Sequence, residues 1–392
     1  MESSHPDRRA LRAGGQGSRD VVHGVDRALT RHPQFGDSPR ILAKVFARYR
    51  FGLELCADRL PGVAARLPAV ARMDDAELRP LFFDPLLRLA LERAFAELEA
   101  DTLAAPHPLE RWLPDALDAL PSGLCEARMY AHWPVQARER IWVWDLDDAD
   151  DDPRTRALRA LFATLYADGT LLRPDERLYR QVANAVALLR TLLPQSGDAA
   201  LRHVGAVALL DARHEGGSVL SSTGGDLLPS TIFLAPAALD DPWEFAECLY
   251  HESLHAKLFD AVRSVTLIAA PDESIQVPWR KVRWQIVRAL FSYHVYVHVS
   301  LFRAAALSAD RECVARFGDP SRYVSRPHPA SVDGAAAHYG RAIDRARYLG
   351  GQLRTTWSHL LTAQGRDLVR WLDLSLKPVC EQVFDEAMGE VA

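Results

Sequence analysis

From Pro39 onward apolar residues recur at helical spacing. Ile41, Leu42, Val45, Phe46 and Tyr49 fall on one face of a helix. Leu81, Leu86, Leu87, Leu89, Leu91, Phe95 and Leu98 make a second stripe over 75–100, interrupted near its start by Pro85. Helices also fit 107–120, 154–168 and 174–193, and from Pro242 they dominate, over 242–263, 281–308, 333–365 and 367–389. Two stretches break the pattern. Residues 128–146 are aromatic and β-branched, with Trp133, Trp142 and Trp144 among them, and predict a small β element. Residues 201–236 predict a small sheet, with strands at 204–210, 219–222 and 231–234 and glycine turns at Gly216-Gly217 and Gly224-Gly225. The fold class expected is mainly α (α+β). Residues 1–36 are polar and aperiodic and read as a disordered or poorly ordered N-terminal arm. A mainly helical domain is expected over 37–200, and a second, helical with the small sheet, over 201–392.

Composition narrows the classes. The chain has 392 residues and a net charge of -5, so no broad basic surface exists for nucleic acid. No apolar run reaches the roughly 18 residues of a membrane span, and the N-terminus lacks the apolar core of a secretory signal. The five cysteines are odd in number, far apart and without a CxxC pair. This argues against a disulfide scaffold or a cysteine-held zinc and for a reducing, cytoplasmic setting. The acidic run Asp145 to Asp152 lacks the glycine and closing glutamate of a calcium loop and reads as a solvated loop.

One motif is sharp. His251-Glu252-Ser253-Leu254-His255 is an HExxH. The four-residue step puts both imidazoles on one helix face, where they can grip one divalent ion, with Glu252 beside its open position. Composition alone yields about 0.02 such matches in a chain like this. Asp241-Pro242 is a helix start, with Asp at the cap and Pro at the first position. A strand precedes it, giving a small β-sheet ahead of an HExxH metal-binding helix, the order of zinc metalloprotease cores. A third ligand is needed. His294 is favoured and His298 is the alternative, four residues apart on one face of the 281–308 helix; a carboxylate such as Asp260 or Glu273 is the remaining option.

Two chemistries suit this donor set. Zinc would activate water, with Glu252 as the catalytic general base, and cleave a peptide. Non-haem iron(II) would take a 2-oxo acid and oxygen. Residues 258 and 261 are Leu and Ala, which excludes a metzincin, and 281–308 holds no acid to serve as a gluzincin glutamate. It is preceded instead by Pro278-Trp279-Arg280-Lys281-Val282-Arg283, whose arginines suit an anionic co-substrate.

Residues 249–258, LYHESLHAKL, resemble the corresponding stretch of the HExxH-motif peptide-modification proteins of ribosomal peptide natural-product pathways. Pro278-Trp279-Arg280 resembles that family's PWR segment, Arg345-Ala346-Arg347-Tyr348-Leu349 its RA-YL element, and residues 361–366, LTAQGR, its LT-GR element. The resemblance covers about 200–370. It implies a 2-oxoglutarate-dependent iron dioxygenase that hydroxylates a peptide side chain at the β-carbon. His251 and His255 would then be iron ligands, with His294 as the third. Arg280 or Arg283 would anchor 2-oxoglutarate, and Glu252 would orient a ligand or bound water. Iron(II), 2-oxoglutarate and O2 are the implied cofactors, with zinc the alternative. The implied partner is a ribosomal precursor peptide, with neither nucleic acid nor membrane. Where the family carries a His or Gln about 11 residues after the PWR arginine, this chain has Phe291, and the nearest histidine is His294.

Overall fold

The computed structural model describes residues 15–122, 142–143, 153–213, 221–236, 240–325 and 338–384. The protein is mostly helical with a small sheet, as its periodicity predicts. The long helices are α1 (Gly15–Ala28), α2 (Ser38–Ala57), α3 (Pro85–Glu99), α4 (Pro108–Ser122), α5 (Pro153–Leu165), α6 (Glu176–Leu192), α7 (Pro242–Val262), α8 (Ile286–Leu307), α9 (Ala342–Arg354) and α10 (Ala363–Val379). The stripe over 75–100 divides as Pro85 requires. A short helix ends at Phe82, and Asp84 caps α3 by accepting from Leu87 N at 2.9 Å, with Pro85 at the first position.

The strands are β1 (Trp142–Val143), β2 (Thr170–Leu172), β3 (Ala206–Asp211), β4 (Ser222–Thr223) and β5 (Thr231–Leu234), in the order β1-β3-β5-β4, with β2 also on β3. β3 and β5 are parallel, with Val207 opposite Ile232 and Leu209 opposite Leu234; β4 lies antiparallel on the far side of β5. The sheet is a wall between two apolar cores. Ala206, Ala208, Leu210 and Phe233 face the core built by α2 to α5, while Val207, Leu209, Ile232 and Leu234 face the core that holds α7 and α8. The strands are apolar on both faces because both faces are covered.

Three expectations are corrected. Within the expected N-terminal arm α1 forms, and Val22, Val25, Leu29 and Phe35 are buried in the same core as the HExxH helix. The core that holds α7 does not begin at residue 201: α6, from before it, packs along α7. The long C-terminal helices start and stop elsewhere. α9 ends at Arg354, and Thr362 caps α10 by accepting from Gly365 N at 3.1 Å. Gly365 is required there, since a Cβ would stand 2.1 Å from the Leu267 carbonyl oxygen. The strand readings at 128–141 and 144–146, the acidic run, the Gly216-Gly217 turn and the helix reading at 333–337 lie outside the described residues. No helix among the described residues is long and apolar enough to cross a membrane.

Candidate metal centre

α7 begins as its sequence demands. Asp241 accepts from Trp243 N at 3.0 Å, and Pro242 opens the first turn. The helix is buried on most of its circumference and is tied down by polar groups along its length. Glu247 takes Arg303 of α8 through Nε at 2.7 Å and Nη2 at 3.1 Å, and also accepts from Tyr323 Oη. The Tyr250 hydroxyl donates to Ser196 Oγ at 2.9 Å, and Lys257 Nζ to Gly36 O at 2.7 Å. Asp260 pairs with Arg88 of α3 and with His203 Nδ1 at 2.7 Å. A helix held at so many points presents its remaining side chains in fixed directions.

Those side chains are the motif. The ligand atoms of His251, Glu252 and His255 all lie within 4.8 Å of one another, and the two imidazole centroids are 5.1 Å apart. The Glu252 Oε1 to His251 Nε2 distance is 3.9 Å. His251 keeps a quarter of its side chain exposed, at 25%, so the cluster opens to solvent on that side. Burial holds the His251 imidazole down to about 4, against a weaker opposing pull from Glu247. Burial, with His251 and Arg288 alongside, holds His255 down to about 3. Both are therefore neutral at pH 7, the form that donates to a metal. Burial pushes the Glu252 carboxyl up to about 8. Two neutral imidazoles and one carboxyl group suit zinc and iron(II) alike.

The structure does not bring His294 into this cluster; among the described residues it comprises only His251, Glu252 and His255. His294 is 1% exposed, with its ring centroid 4.5 Å from that of His298 and its Nδ1 without a hydrogen-bond partner. His298 donates from Nδ1 to the His294 carbonyl at 2.8 Å. The other two options are also engaged elsewhere or turned outward. Asp260 belongs to Arg88 and His203, and Glu273 is exposed on a hairpin.

The arginines separate. Residues 274–285 form that hairpin, with strands β6 (Ser274–Ile275) and β7 (Trp284–Gln285). Arg283 is exposed and donates to the Ser274 carbonyl across it, so its place is in the hairpin and not at the metal. Arg280 turns inward. Burial, then Arg288 and Arg345, lowers its guanidinium from the usual value; Tyr296 alone acts in the opposite sense, and no carboxylate takes part. Its Nε is buried with no hydrogen-bond partner. Arg345 is buried, donates to Tyr296 Oη at 3.2 Å and to Tyr339 O at 2.8 Å, and lies 5.4 Å over the Trp279 ring. Arg288 is exposed, stacks 4.8 Å over Trp284 and acts on His255.

Arg288, Arg345 and Tyr296 are groups that the sequence reading did not assign. Arg345 had a signal, since it stands in the RA-YL element. Trp279 of the PWR segment packs 5.5 Å from Tyr348 of that same element, so two stretches some 66 residues apart meet beside the site. Arg288 had none beyond its place in the first turn of α8. A scan of the sequence against protein-family models finds no match, and no curated protein matches it.

Proposed function

We propose that this protein is an iron(II)- and 2-oxoglutarate-dependent oxygenase that hydroxylates a side-chain carbon, at the β-position, of a ribosomally synthesised peptide in the cytoplasm. The observation that carries the reading is the gathering of Arg288 and Arg345 about Arg280, with no carboxylate among the groups acting on Arg280 and with Arg288 also acting on His255. Like charges drawn together in a half-buried place are stabilised by an anion. A dicarboxylate chelating the metal at one end would set its other end there. The resemblance of 249–258, Pro278-Trp279-Arg280, Arg345-Leu349 and 361–366 to the HExxH peptide-modification proteins supports the same chemistry.

His251 and His255 hold the metal as neutral bases. Iron(II) with a 2-oxo acid and O2 supplies an oxidant able to take hydrogen from an unactivated carbon. Arg280 would pair the distal carboxylate, with Arg345, fixed by Tyr296 and Tyr339, beside it. Glu252, whose carboxyl group stands beside the two imidazoles, would orient a ligand or bound water.

A zinc peptidase of the gluzincin type is the second reading. Its specific support is the Glu252 carboxyl group within 4.8 Å of both imidazole donors, where a general base for water would stand. One assay separates the two. Protein purified without oxygen is given iron(II), 2-oxoglutarate and O2, with peptides encoded near its gene, and succinate is followed. We expect succinate that disappears in His251→Ala and a peptide product one oxygen atom heavier. Arg280→Met should raise the half-saturating 2-oxoglutarate concentration by about 10- to 100-fold, the loss of one charge-assisted contact. Arg283→Met should leave it unchanged. Zinc retention, no succinate and a cut peptide would replace the oxygenase with the peptidase.

A further inference from the structure

The sheet side of the metal centre carries a hydrogen-bonding group that the chemistry above does not use. β4 is the last strand of the sheet and runs along α7. Ser221, just before it, bonds the Cys248 side chain, one helical turn ahead of Glu252. Ser222 bonds the hydroxyl of Tyr166, which follows α5 and so arrives from the other core. The Tyr166 ring is fixed 5.1 Å from Phe233 and 5.4 Å from Phe162. Its hydroxyl lies within electrostatic reach of Glu252. Tyr166 and Ser222 are both half-buried, so the pair meets solvent, as His251 does.

The donor count is what makes the pair informative. A phenol and an alcohol bring two O–H donors. The bond between them uses one. The second has no acceptor among the described residues, although the pair lies within electrostatic reach of Glu252. β4 also pairs only with β5 among the described residues, leaving its outer edge for an extended chain.

We propose that Tyr166, braced by Ser222, contacts the substrate: the pair's unspent O–H donates to a backbone carbonyl of an extended peptide lying between β4 and the two metal-binding histidines. The proposal rests on the peptide-oxygenase reading for the identity of the substrate. It assigns the arginine side of the centre to the small anion and the sheet side to the peptide.

The test uses nickel(II)-loaded full-length protein, which binds without turning over, and a pool of random decapeptides with blocked ends. The readout is the pool concentration that half-saturates the shift in melting temperature. Tyr166→Phe keeps the ring packing and removes one hydroxyl. It should raise that concentration about three- to tenfold, the size of one neutral hydrogen bond. Nickel affinity should not move. Ser222→Ala removes the brace and should act in the same direction by less; it decides the matter if Tyr166→Phe fails to fold. A Tyr166→Phe protein that melts like wild type and binds the pool equally well overturns the proposal, as does a wild-type protein that the pool does not shift. Succinate from the iron-loaded wild type is scored separately. Pool binding that depends on Tyr166, without succinate, sinks the oxygenase and keeps the peptide contact. Succinate with an unaffected Tyr166→Phe does the reverse.

Discussion

Glu252 is where the two chemistries part. It is 5% exposed and its carboxyl is pushed up to about 8, because burial penalises the charged form. A peptidase needs that group to take a proton from water, so Glu252→Gln would abolish cleavage. An oxygenase needs only its hydrogen bonding, which glutamine keeps. We expect Glu252→Gln to lower peptide hydroxylation by about tenfold or less, the value of one hydrogen bond, as read from the oxygenated product. Loss of all product would count against the oxygenase. At this scale the sequence was informative for His251, Glu252 and His255, since a four-residue step on a helix fixes their neighbourhood without help from the fold. It was not informative for His294. α8 is buried from Ala289 to Ala306 on nearly every face, so no polar stripe marks which side looks toward α7.

The metal-bearing helix is itself a held object. Glu247 with Arg303 and Tyr323, and Asp260 with Arg88 and His203, anchor α7 to α8 and to the opposite core. Burial pulls the Asp260 carboxyl up, but Arg88 and His203 more than offset it and hold it at about 2. Removing one partner leaves a buried charge uncompensated. Glu247→Gln should destabilise the fold by about 3–5 kcal/mol in chemical denaturation, whereas an exposed pair such as Arg341 with Asp344 should matter by less than about 1 kcal/mol. An unchanged midpoint in Glu247→Gln would show that the helix is held by its apolar packing alone. α7 was legible because cap, first-position proline and motif agree. The Pro278-Trp279-Arg280 segment was read beside a helix starting at 281, yet it is the loop of a hairpin and α8 starts at Ile286. Helical periodicity could not show that β6 and β7 would pair across it, because that pairing is between residues about ten apart.

Across the whole molecule the buried histidines outnumber the raised carboxyls of Glu252 and Asp26, which act in the opposite sense, so the metal-free protein should lose stability in acid. His203, His251, His255, His294 and His298 are all held below their ordinary value, with burial the first cause in each. The unfolded chain therefore binds more protons than the folded one once pH falls below the ordinary histidine value of about 6.5. Stability is fully present above that pH and is lost as pH falls toward the folded values, about 4 for His251 and about 3 for His255 and His298. Lys257, lowered to about 7 by burial, acts in the same sense at higher pH. The metal-free protein should lose more than about 1.4 kcal/mol per pH unit between pH 6 and 5, meaning more than one proton taken up on unfolding. Denaturant titrations at several pH values measure that slope, and a flat profile would mean that these imidazoles are solvated in the folded state.

What the sequence determined by itself is local: helix class and most helix positions, the cap of α7, and the two imidazoles with their carboxyl neighbour. These follow from spacings of a few residues and from backbone chemistry that acts within one turn. The tertiary structure decided what spacing cannot reach. It packed α1 against α8 and α10, in the core that holds the HExxH helix, and made the sheet a shared wall between two cores. It turned Arg283 out and Arg280 in, brought Arg345 to Arg280, and brought Tyr166 within electrostatic reach of Glu252. Those placements come from packing between segments far apart in the chain, where apolar burial selects the partners and the residues' own neighbours do not.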